Sequence, residues 1–210
     1  MSTVTWIDPV LDVLEPEPFG STHPIRDVTN EIAAGAGWSD ERRERISAAF
    51  DELSDGWHAD HTSDLRLAPI IDVLDRGDLG SGALVELGAG TGAGTERIVG
   101  RHPVAAAIEL SVGMISAADA TLAPFVRADA SELPLRDGSV DIAVLVNMFL
   151  FADEIDRVLS PTGRLVWVNT MGEETPIHLP PERVLEVLPG EWNATASRAG
   201  TGFWCVARRI

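Results

Sequence analysis

The 210-residue chain contains no lysine and no tyrosine. Without lysine, catalysis through a lysine Schiff base is excluded, and all 16 basic residues are arginine. The two absences also count against a nicotinamide-dependent dehydrogenase, because neither a catalytic tyrosine nor a catalytic lysine is available. We therefore expect that the chemistry of this protein does not depend on lysine or tyrosine side chains.

Cysteine and long apolar runs are scarce as well. The single cysteine, Cys205, excludes an internal disulfide and favours a reducing compartment. No apolar run reaches the roughly 18 residues that a membrane span requires. The start of the chain, Met1-Ser2-Thr3-Val4, lacks the basic and then apolar pattern of a signal peptide. We therefore expect a cytoplasmic protein with no membrane span.

The charge balance is strongly acidic, with a formal net charge of −17. Nucleic-acid binding requires a basic surface to neutralise phosphates, so we expect no nucleic-acid partner. A hydrophobic content of 45% fits a globular protein. The length suits one principal domain with a sizeable core.

A glycine-rich stretch organises the chain. The apolar run 83–87, interrupted only by Glu86, predicts a buried strand, and the stretch 88–94 that follows predicts a turn leading into a helix. Such a turn exposes backbone N–H groups to a nucleotide-sized ligand. Gly88, Gly90 and Ala93 also satisfy the dinucleotide-binding pattern, but Glu86 would repel a pyrophosphate. A carboxylate there suits a ligand that carries an ammonium and a sulfonium.

The segment Val85-Glu86-Leu87-Gly88-Ala89-Gly90-Thr91-Gly92 resembles motif I of the class I S-adenosylmethionine (SAM) dependent methyltransferases. The resemblance continues through residues 83–168 and is strongest to the branch that contains ubiquinone and menaquinone methylases. It implies an α/β fold, with a Rossmann-like, seven-stranded, mostly parallel sheet, helices on both faces and an antiparallel C-terminal hairpin. It also implies SAM as the cofactor.

Further acidic residues follow the next predicted strands. Glu109 lies 21 residues after Gly88 (109 − 88), close to the spacing of about 20 expected for an acid that binds ribose hydroxyls. By resemblance, Asp129 accepts from the adenine amino group, the Ala130 N–H reaches a ring nitrogen, and Asn147 lies at the reacting centre. The full set of expected cofactor-binding residues is Glu86, Gly88, Ala89, Gly90, Gly92, Glu109, Leu110, Asp129, Ala130 and Asn147.

We expect the chain to consist of two regions. Residues 1–38, rich in proline and acids, are expected to form an irregular N-terminal arm, and residues 39–210 to form the methyltransferase domain. Within that domain, residues 39–80 are expected to form a helical lid segment, with one helix from Ser39 or Asp40 to about Ser54 and a second, amphipathic helix from Ser63 to Arg76. The family usually places a tyrosine in such a lid, so Trp57 is the expected substitute.

Three histidines are candidates for a general acid or base: His58, His61 and His178. His58, Asp60 and His61 are also candidate metal ligands, but no third histidine or cysteine has matching spacing, so we predict no metal site. His178 follows the fifth strand implied by the resemblance, near the acceptor side in that family.

The resulting hypothesis is in-line transfer of the SAM methyl group to a small-molecule acceptor. One departure from the family bears on it, because the span from Asn147 to Arg157 is several residues short, although the run 149–151 can supply an apolar wall. A non-catalytic SAM-binding or interaction protein remains the first alternative, and an NAD(P)-dependent oxidoreductase the second. The acceptor and the oligomeric state are not indicated by the sequence.

Overall fold

Short runs rich in valine, leucine, isoleucine and alanine form one eight-stranded sheet in the computed structural model, which describes all residues 1–210. The strands are β1 (Thr3–Trp6), β2 (Leu84–Leu87), β3 (Val104–Glu109), β4 (Phe125–Arg127), β5 (Val140–Val146), β6 (Leu159–Asn169), β7 (Trp192–Ala199) and β8 (Gly202–Arg209). Their order across the sheet is β1-β7-β8-β6-β5-β2-β3-β4. Only β8 runs antiparallel to its neighbours.

Seven helices accompany the sheet. They are α1 (Ile25–Ala33), α2 (Asp40–His61), α3 (Asp64–Arg76), α4 (Ala93–Val99), α5 (Val112–Ala117), α6 (Ala152–Val158) and α7 (Pro181–Val187). The side chains of Ser39 and Ser63 cap α2 and α3 by accepting from the backbone N–H groups of Arg42 and Arg66. The start of α3 predicted from Ser63 is therefore confirmed.

Helices cover both faces of the sheet because alternate strand residues point to opposite sides. Val85 and Leu87 of β2 join the larger apolar core with residues of α6 and α7. Leu84, from the same strand, joins a second core with Ile70 of α3 and Ile98 of α4. This layering is the Rossmann-like arrangement that the sequence predicted.

The strand order changes direction between β2 and β5. The chain proceeds from β2 to β3 and β4 on one side, whereas β5 and β6 lie on the other. In an open parallel sheet, such a switch leaves a crevice at the carboxyl ends of the two central strands. The glycine-rich turn after β2 and Asn147 after β5 both lie at this crevice.

The number of strands corrects the prediction of seven. The additional strand is β1, which pairs in parallel with β7 at the sheet edge. The sequence analysis places no strand there: Thr3–Trp6 does alternate between polar and apolar residues, but the segment is only four residues long and mostly exposed. The predicted C-terminal hairpin is confirmed as β7 and β8.

Residues 1–38 also contain α1, so the N-terminal region is less irregular than expected. A carboxylate fixes it to the body of the protein: Oε2 of Glu174 accepts from the backbone N–H groups of Phe19, Gly20 and Ser21 at 2.9, 3.1 and 3.0 Å. The division of the chain into an arm and a methyltransferase domain stays a prediction.

Helix α2 is longer than expected. Instead of ending near residue 54, it continues to His61 through a kink at Asp55 and Gly56, where Gly56 has φ +82°. Glycine adopts this conformation without the steric cost that a Cβ atom imposes. The kink redirects the last turns of the helix, so that Trp57 and His61 face the crevice.

Candidate active site

The glycine-rich turn closely approaches two side chains. A Cβ atom on Gly88 would lie 2.5 Å from Sδ of Met148, and one on Gly94 would collide with Oε1 of Glu86. Neither position therefore accepts a side chain unless its neighbour moves. The turn consequently presents bare backbone at the crevice between β2 and α4.

Glu86 is the acid within β2, and it is almost completely buried, with 1% of its surface exposed. Its Oε2 accepts a short hydrogen bond from the hydroxyl of Thr95. Burial raises the pKa of Glu86 to about 7, and the nearby charge of Glu109 adds to this, whereas the Thr95 hydrogen bond opposes it. Glu86 therefore changes charge near neutral pH, where a bound cation would favour its ionised form.

Glu109, at the end of β3, is held by three backbone donors. Its Oε1 accepts from the N–H groups of Leu110 and Ser111, both at 2.8 Å, and its Oε2 accepts from Gly90 at 2.9 Å. A carboxylate has about four acceptor positions, so one position on Oε2 remains. This arrangement fixes the carboxylate beside the glycine-rich turn with capacity for one further donor.

Asp129 follows β4, and both of its oxygens have partners. Oδ1 accepts from the backbone N–H of Ser131 at 2.8 Å, and Oδ2 accepts from the indole Nε1 of Trp38 at 3.0 Å. A guanidinium nitrogen of Arg43 lies 3.8 Å from the same Oδ2. By contrast, the backbone N–H of Ala130, at the cleft, donates to no group of the protein. An unpaired N–H at a largely buried residue is unusual and marks a place for a ligand acceptor.

Asn147, directly after β5, has φ +50°. Its Nδ2 donates to Oγ1 of Thr170 at 2.8 Å, and its Oδ1 accepts from the backbone N–H of Thr170 at 2.9 Å. The side chain therefore joins the ends of β5 and β6. Asparagine tolerates this left-handed backbone better than most residues, which explains its presence at the sharp exit from the strand.

Trp57 forms the roof over the turn. A Cβ atom on Gly90 would lie 3.9 Å from the indole nitrogen of Trp57. The ring packs edge-on against Phe50 and stacks on His61 with a centroid separation of 3.8 Å. This position over the glycine-rich turn is the one that a lid residue would occupy.

The three candidate histidines are dispersed. His61 lines the cleft, and its Nδ1 lies 2.7 Å from the carbonyl oxygen of Trp57. Burial and the charge of Arg66 lower the pKa of His61. His58 lies outside the cleft, with Nδ1 3.3 Å from the Thr91 hydroxyl. His178 is also outside: it packs against Phe203, and burial lowers its pKa to about 4.

The three acids, the glycine-rich turn, Asn147, Trp57 and His61 line one cleft with about 1050 Å³ of empty space, including the part open to solvent. Nine of the ten predicted cofactor-binding residues line it; the exception is Gly92, whose missing side chain would face Phe125 at 3.2 Å.

Aromatic side chains form one wall of the cleft, and the sequence predicted only some of them. Phe149 and Phe151 line the cleft as the sequence suggested, but Trp38 packs against both rings, at centroid distances of 6.1 and 5.2 Å. The sequence analysis places Trp38 at the end of the irregular arm and not at the site. The signal for its role is a large aromatic residue directly before Ser39, which caps α2. The N-terminal region thus covers the place where the chain is short after Asn147.

The central part of the chain is similar to known methyltransferases. Residues 85–167 match the family described as a methyltransferase domain. The chain is 33% identical over 143 residues to a demethylmenaquinone methyltransferase of Clavibacter sepedonicus, covering 58% of this chain and 56% of that protein. It is 34% identical over 90 residues to a malonyl-[acyl-carrier protein] O-methyltransferase of Geobacter sulfurreducens, covering 40% and 34% respectively. The matches therefore span about half, or less, of these relatives.

Solved structures confirm the fold. The chain superposes on a SAM-dependent methyltransferase of Thermotoga maritima with a TM-score of 0.60 and 16% identity, covering 79% of this chain and 100% of that one. A SAM-dependent methyltransferase of Aquifex aeolicus gives a TM-score of 0.57 and 17% identity, with coverage of 83% and 100%. At these identities the likeness concerns the fold alone. No helix of the protein is both long enough and apolar enough to span a membrane.

Proposed function

We propose that this chain, whose residues 85–167 match the methyltransferase domain family, transfers the methyl group of SAM to a small-molecule acceptor. The observation that carries the proposal is the convergence of Glu109, Asp129 and the glycine-rich turn on one cleft at the switch point of the sheet. Ligands of such sheets bind outside the carboxyl ends of the strands at this point.

The polar groups of the cleft fit the parts of SAM. The remaining acceptor position on Oε2 of Glu109 suits a ribose hydroxyl, which donates. The unpaired N–H of Ala130 suits an acceptor nitrogen of the adenine ring. Glu86, buried below the turn, provides negative potential for a positively charged ligand. A pyrophosphate would instead meet the Glu86 carboxylate, which disfavours a dinucleotide.

SAM supplies a methyl group that its sulfonium has already activated. The chain must then hold the acceptor in line and exclude water, which can contribute roughly 7–11 kcal/mol to lowering the barrier. Trp57 covers the turn, and the rings of Trp38, Phe149 and Phe151 line the cleft. We therefore propose an acceptor with an apolar part packed against this wall.

A base is needed only where the acceptor loses a proton. His61 is the one candidate histidine that lines the cleft. Because its Nδ1 lies 2.7 Å from the Trp57 carbonyl, which only accepts, the neutral imidazole carries its proton on Nδ1. Its Nε2 is therefore the nitrogen that can receive a proton. The lowered pKa keeps this imidazole neutral at pH 7.

Titration calorimetry with S-adenosylhomocysteine tests the cofactor assignment. Glu109→Ala removes the acceptor and should weaken binding about tenfold or more, because hydrogen bonds to charged groups are the strong ones. Glu15→Ala, at an exposed position that makes no side-chain hydrogen bond, is the matched control and should bind as the parent does. Unchanged affinity in Glu109→Ala would show that Glu109 does not contribute to cofactor binding.

Turnover is tested separately, by measuring S-adenosylhomocysteine formation from SAM with a panel of small acceptors. Product formation supports the enzyme. Tight binding of S-adenosylhomocysteine without product for any acceptor would favour a non-catalytic SAM-binding protein. Binding of NAD or NADP in place of S-adenosylhomocysteine would overturn the proposal.

We also propose the domain bounds, the class of partner and the cellular location of the protein. Residues 39–210 form the methyltransferase domain, with 39–80 as its lid segment, and the acidic net charge of −17 argues against a nucleic-acid substrate. The single buried thiol, Cys205, supports a cytoplasmic location. Size-exclusion chromatography with light scattering would establish the oligomeric state.

A further inference from the structure

Helix α2 carries the proposed lid residue Trp57, yet few contacts hold this helix to the rest of the protein. None of its 22 residues is buried. Before its kink, two polar contacts join it to the ends of the strands. A guanidinium nitrogen of Arg43 lies 3.8 Å from Asp129, and Asp51 hydrogen-bonds to the segment after β3. The placement of the lid therefore depends on a small number of polar groups.

Asp51 supplies an acceptor to the first turn of α5. Its Oδ1 accepts from the Ser111 hydroxyl at 2.5 Å and from the backbone N–H of Gly113 at 2.8 Å. These two bonds lower the pKa of the Asp51 carboxyl. The two helices also approach closely, because a Cβ atom on Gly113 would lie 2.9 Å from Cα of Asp51. The middle of α2 is thus fixed to the start of α5.

Ser111 connects this contact to the cofactor site. Its hydroxyl, besides donating to Asp51, accepts from the backbone N–H of Met114 at 3.0 Å and so caps α5. Its own backbone N–H donates to Oε1 of Glu109 at 2.8 Å. Ser111 is fully buried, so the protein itself must satisfy these groups. One path of hydrogen-bonded residues therefore runs from the lid helix to the carboxylate proposed to bind ribose.

Between Asp51 and Trp57, the helix is interrupted at Asp55 and Gly56. A Cβ atom on Gly56 would meet no other group within 4 Å, so the kink itself is not held by packing. The turns after the kink have one side-chain contact with the glycine-rich turn, in which Nδ1 of His58 lies 3.3 Å from the Thr91 hydroxyl. The orientation of Trp57 consequently depends on how the first part of α2 is fixed.

We propose that Asp51 is a positioning residue, which holds α2 against α5 so that Trp57 stays over the glycine-rich turn while the cofactor is bound. Asp51 is exposed and does not line the cleft, so it acts through the helix and not by touching the cofactor. Closing a lid sequesters the ligand from water. The inference rests on the proposed function and predicts that loss of Asp51 speeds the release of the cofactor.

Stopped-flow displacement of S-adenosylhomocysteine measures this release. Asp51→Ala removes both acceptor bonds and should raise the dissociation rate about fivefold to tenfold. Asp51→Asn should stay within about twofold of the parent, because its amide oxygen can accept the same two bonds. The matched control Glu52→Ala removes the neighbouring exposed carboxylate and should release the ligand as the parent does. If Asp51→Ala also releases it at the parent rate, the inference is wrong.

A double-mutant cycle with Trp57→Ala establishes whether Asp51 acts through the lid. In the Trp57→Ala background, Asp51→Ala should change the dissociation rate by less than about twofold, because the residue that it positions is absent. Effects that multiply independently would overturn the inference. Gly113→Ala approaches the same contact from α5, and it should speed release although alanine favours the helix. A parent protein that does not bind S-adenosylhomocysteine at all would instead contradict the proposed function, and this inference with it.

Discussion

The indole Nε1 of Trp38 donates a hydrogen bond of 3.0 Å to Oδ2 of Asp129. This contact links the N-terminal region to the end of β4, so that the segment between α1 and α2 forms one side of the cleft. Since Trp38 also packs against Phe149 and Phe151, a single residue connects the proposed adenine site with the proposed acceptor wall.

The variant Asp129→Asn tests whether Asp129 binds the adenine amino group or only positions Trp38. The amide would place an N–H group against the Trp38 indole and the adenine amino group, so donors would face donors. We expect S-adenosylhomocysteine to bind about tenfold more weakly, as measured by calorimetry. Trp38→Phe keeps an aromatic ring and leaves Asp129 free, so its affinity should change by less than about threefold. Equal losses in the two variants would mean that Asp129 only positions Trp38.

Glu86 should make stability depend on pH. Its folded pKa of about 7 lies above the ordinary value of 4.5, so the folded protein binds more protons than the unfolded chain between these values. The free energy of unfolding should therefore fall as pH rises from 4.5 to 7, by up to about 3 kcal/mol for this group.

Glu86→Gln removes that titration while keeping an acceptor for the Thr95 hydroxyl. Urea unfolding of the variant between pH 5 and 8 should show a smaller decline in stability than the parent shows. The affinity of the parent for SAM should also increase as Glu86 ionises, and the variant should lose this dependence. Parallel pH profiles of parent and variant would contradict both expectations.

Trp57 should control the protonation of His61. The two rings are stacked at 3.8 Å, and burial is the main cause of the lowered pKa of His61. Trp57→Ala exposes the imidazole, so the His61 pKa should rise toward its ordinary value of 6.5 in an NMR titration. Trp57→Phe retains a stacked ring and should leave the His61 pKa nearly unchanged.

The Trp57 variants also test the lid. If Trp57 covers the bound cofactor, Trp57→Ala should weaken S-adenosylhomocysteine binding by about tenfold, because a large buried aromatic contact is lost. The loss should be smaller in Trp57→Phe. Unchanged affinity in Trp57→Ala would place the residue outside the lid, whatever happens to the His61 pKa.

Local signals in the sequence predicted much of the fold. Ser63 and the apolar spacing after it identified α3, and the apolar strand followed by Gly88 and Gly90 identified the turn after β2. These features depend on neighbours in the chain, namely capping groups, side-chain periodicity and glycine backbone freedom. The resemblance to a known family then supplied the type of sheet and the roles expected of the acids.

Other features depend on residues that are distant in the sequence. The pairing of β1 with β7 spans almost the whole chain, and Trp38 meets Asp129 across 91 positions. The elevated pKa of Glu86 arises from burial beneath α4, and the cleft position of His61 depends on the kink at Gly56. Periodicity carries no information about such contacts, because they are set by how the helices pack.

The sequence alone determined the order of the elements, the glycine-rich turn and the acids that follow successive strands, because these are properties of contiguous residues. Only the tertiary structure decided which polar groups already have partners. Asn147 is joined to Thr170 and most of Glu109 is held by backbone N–H groups, whereas the Ala130 N–H remains unpaired. Hydrogen bonding is settled by three-dimensional proximity, so the groups left for a ligand appear only once the chain is folded.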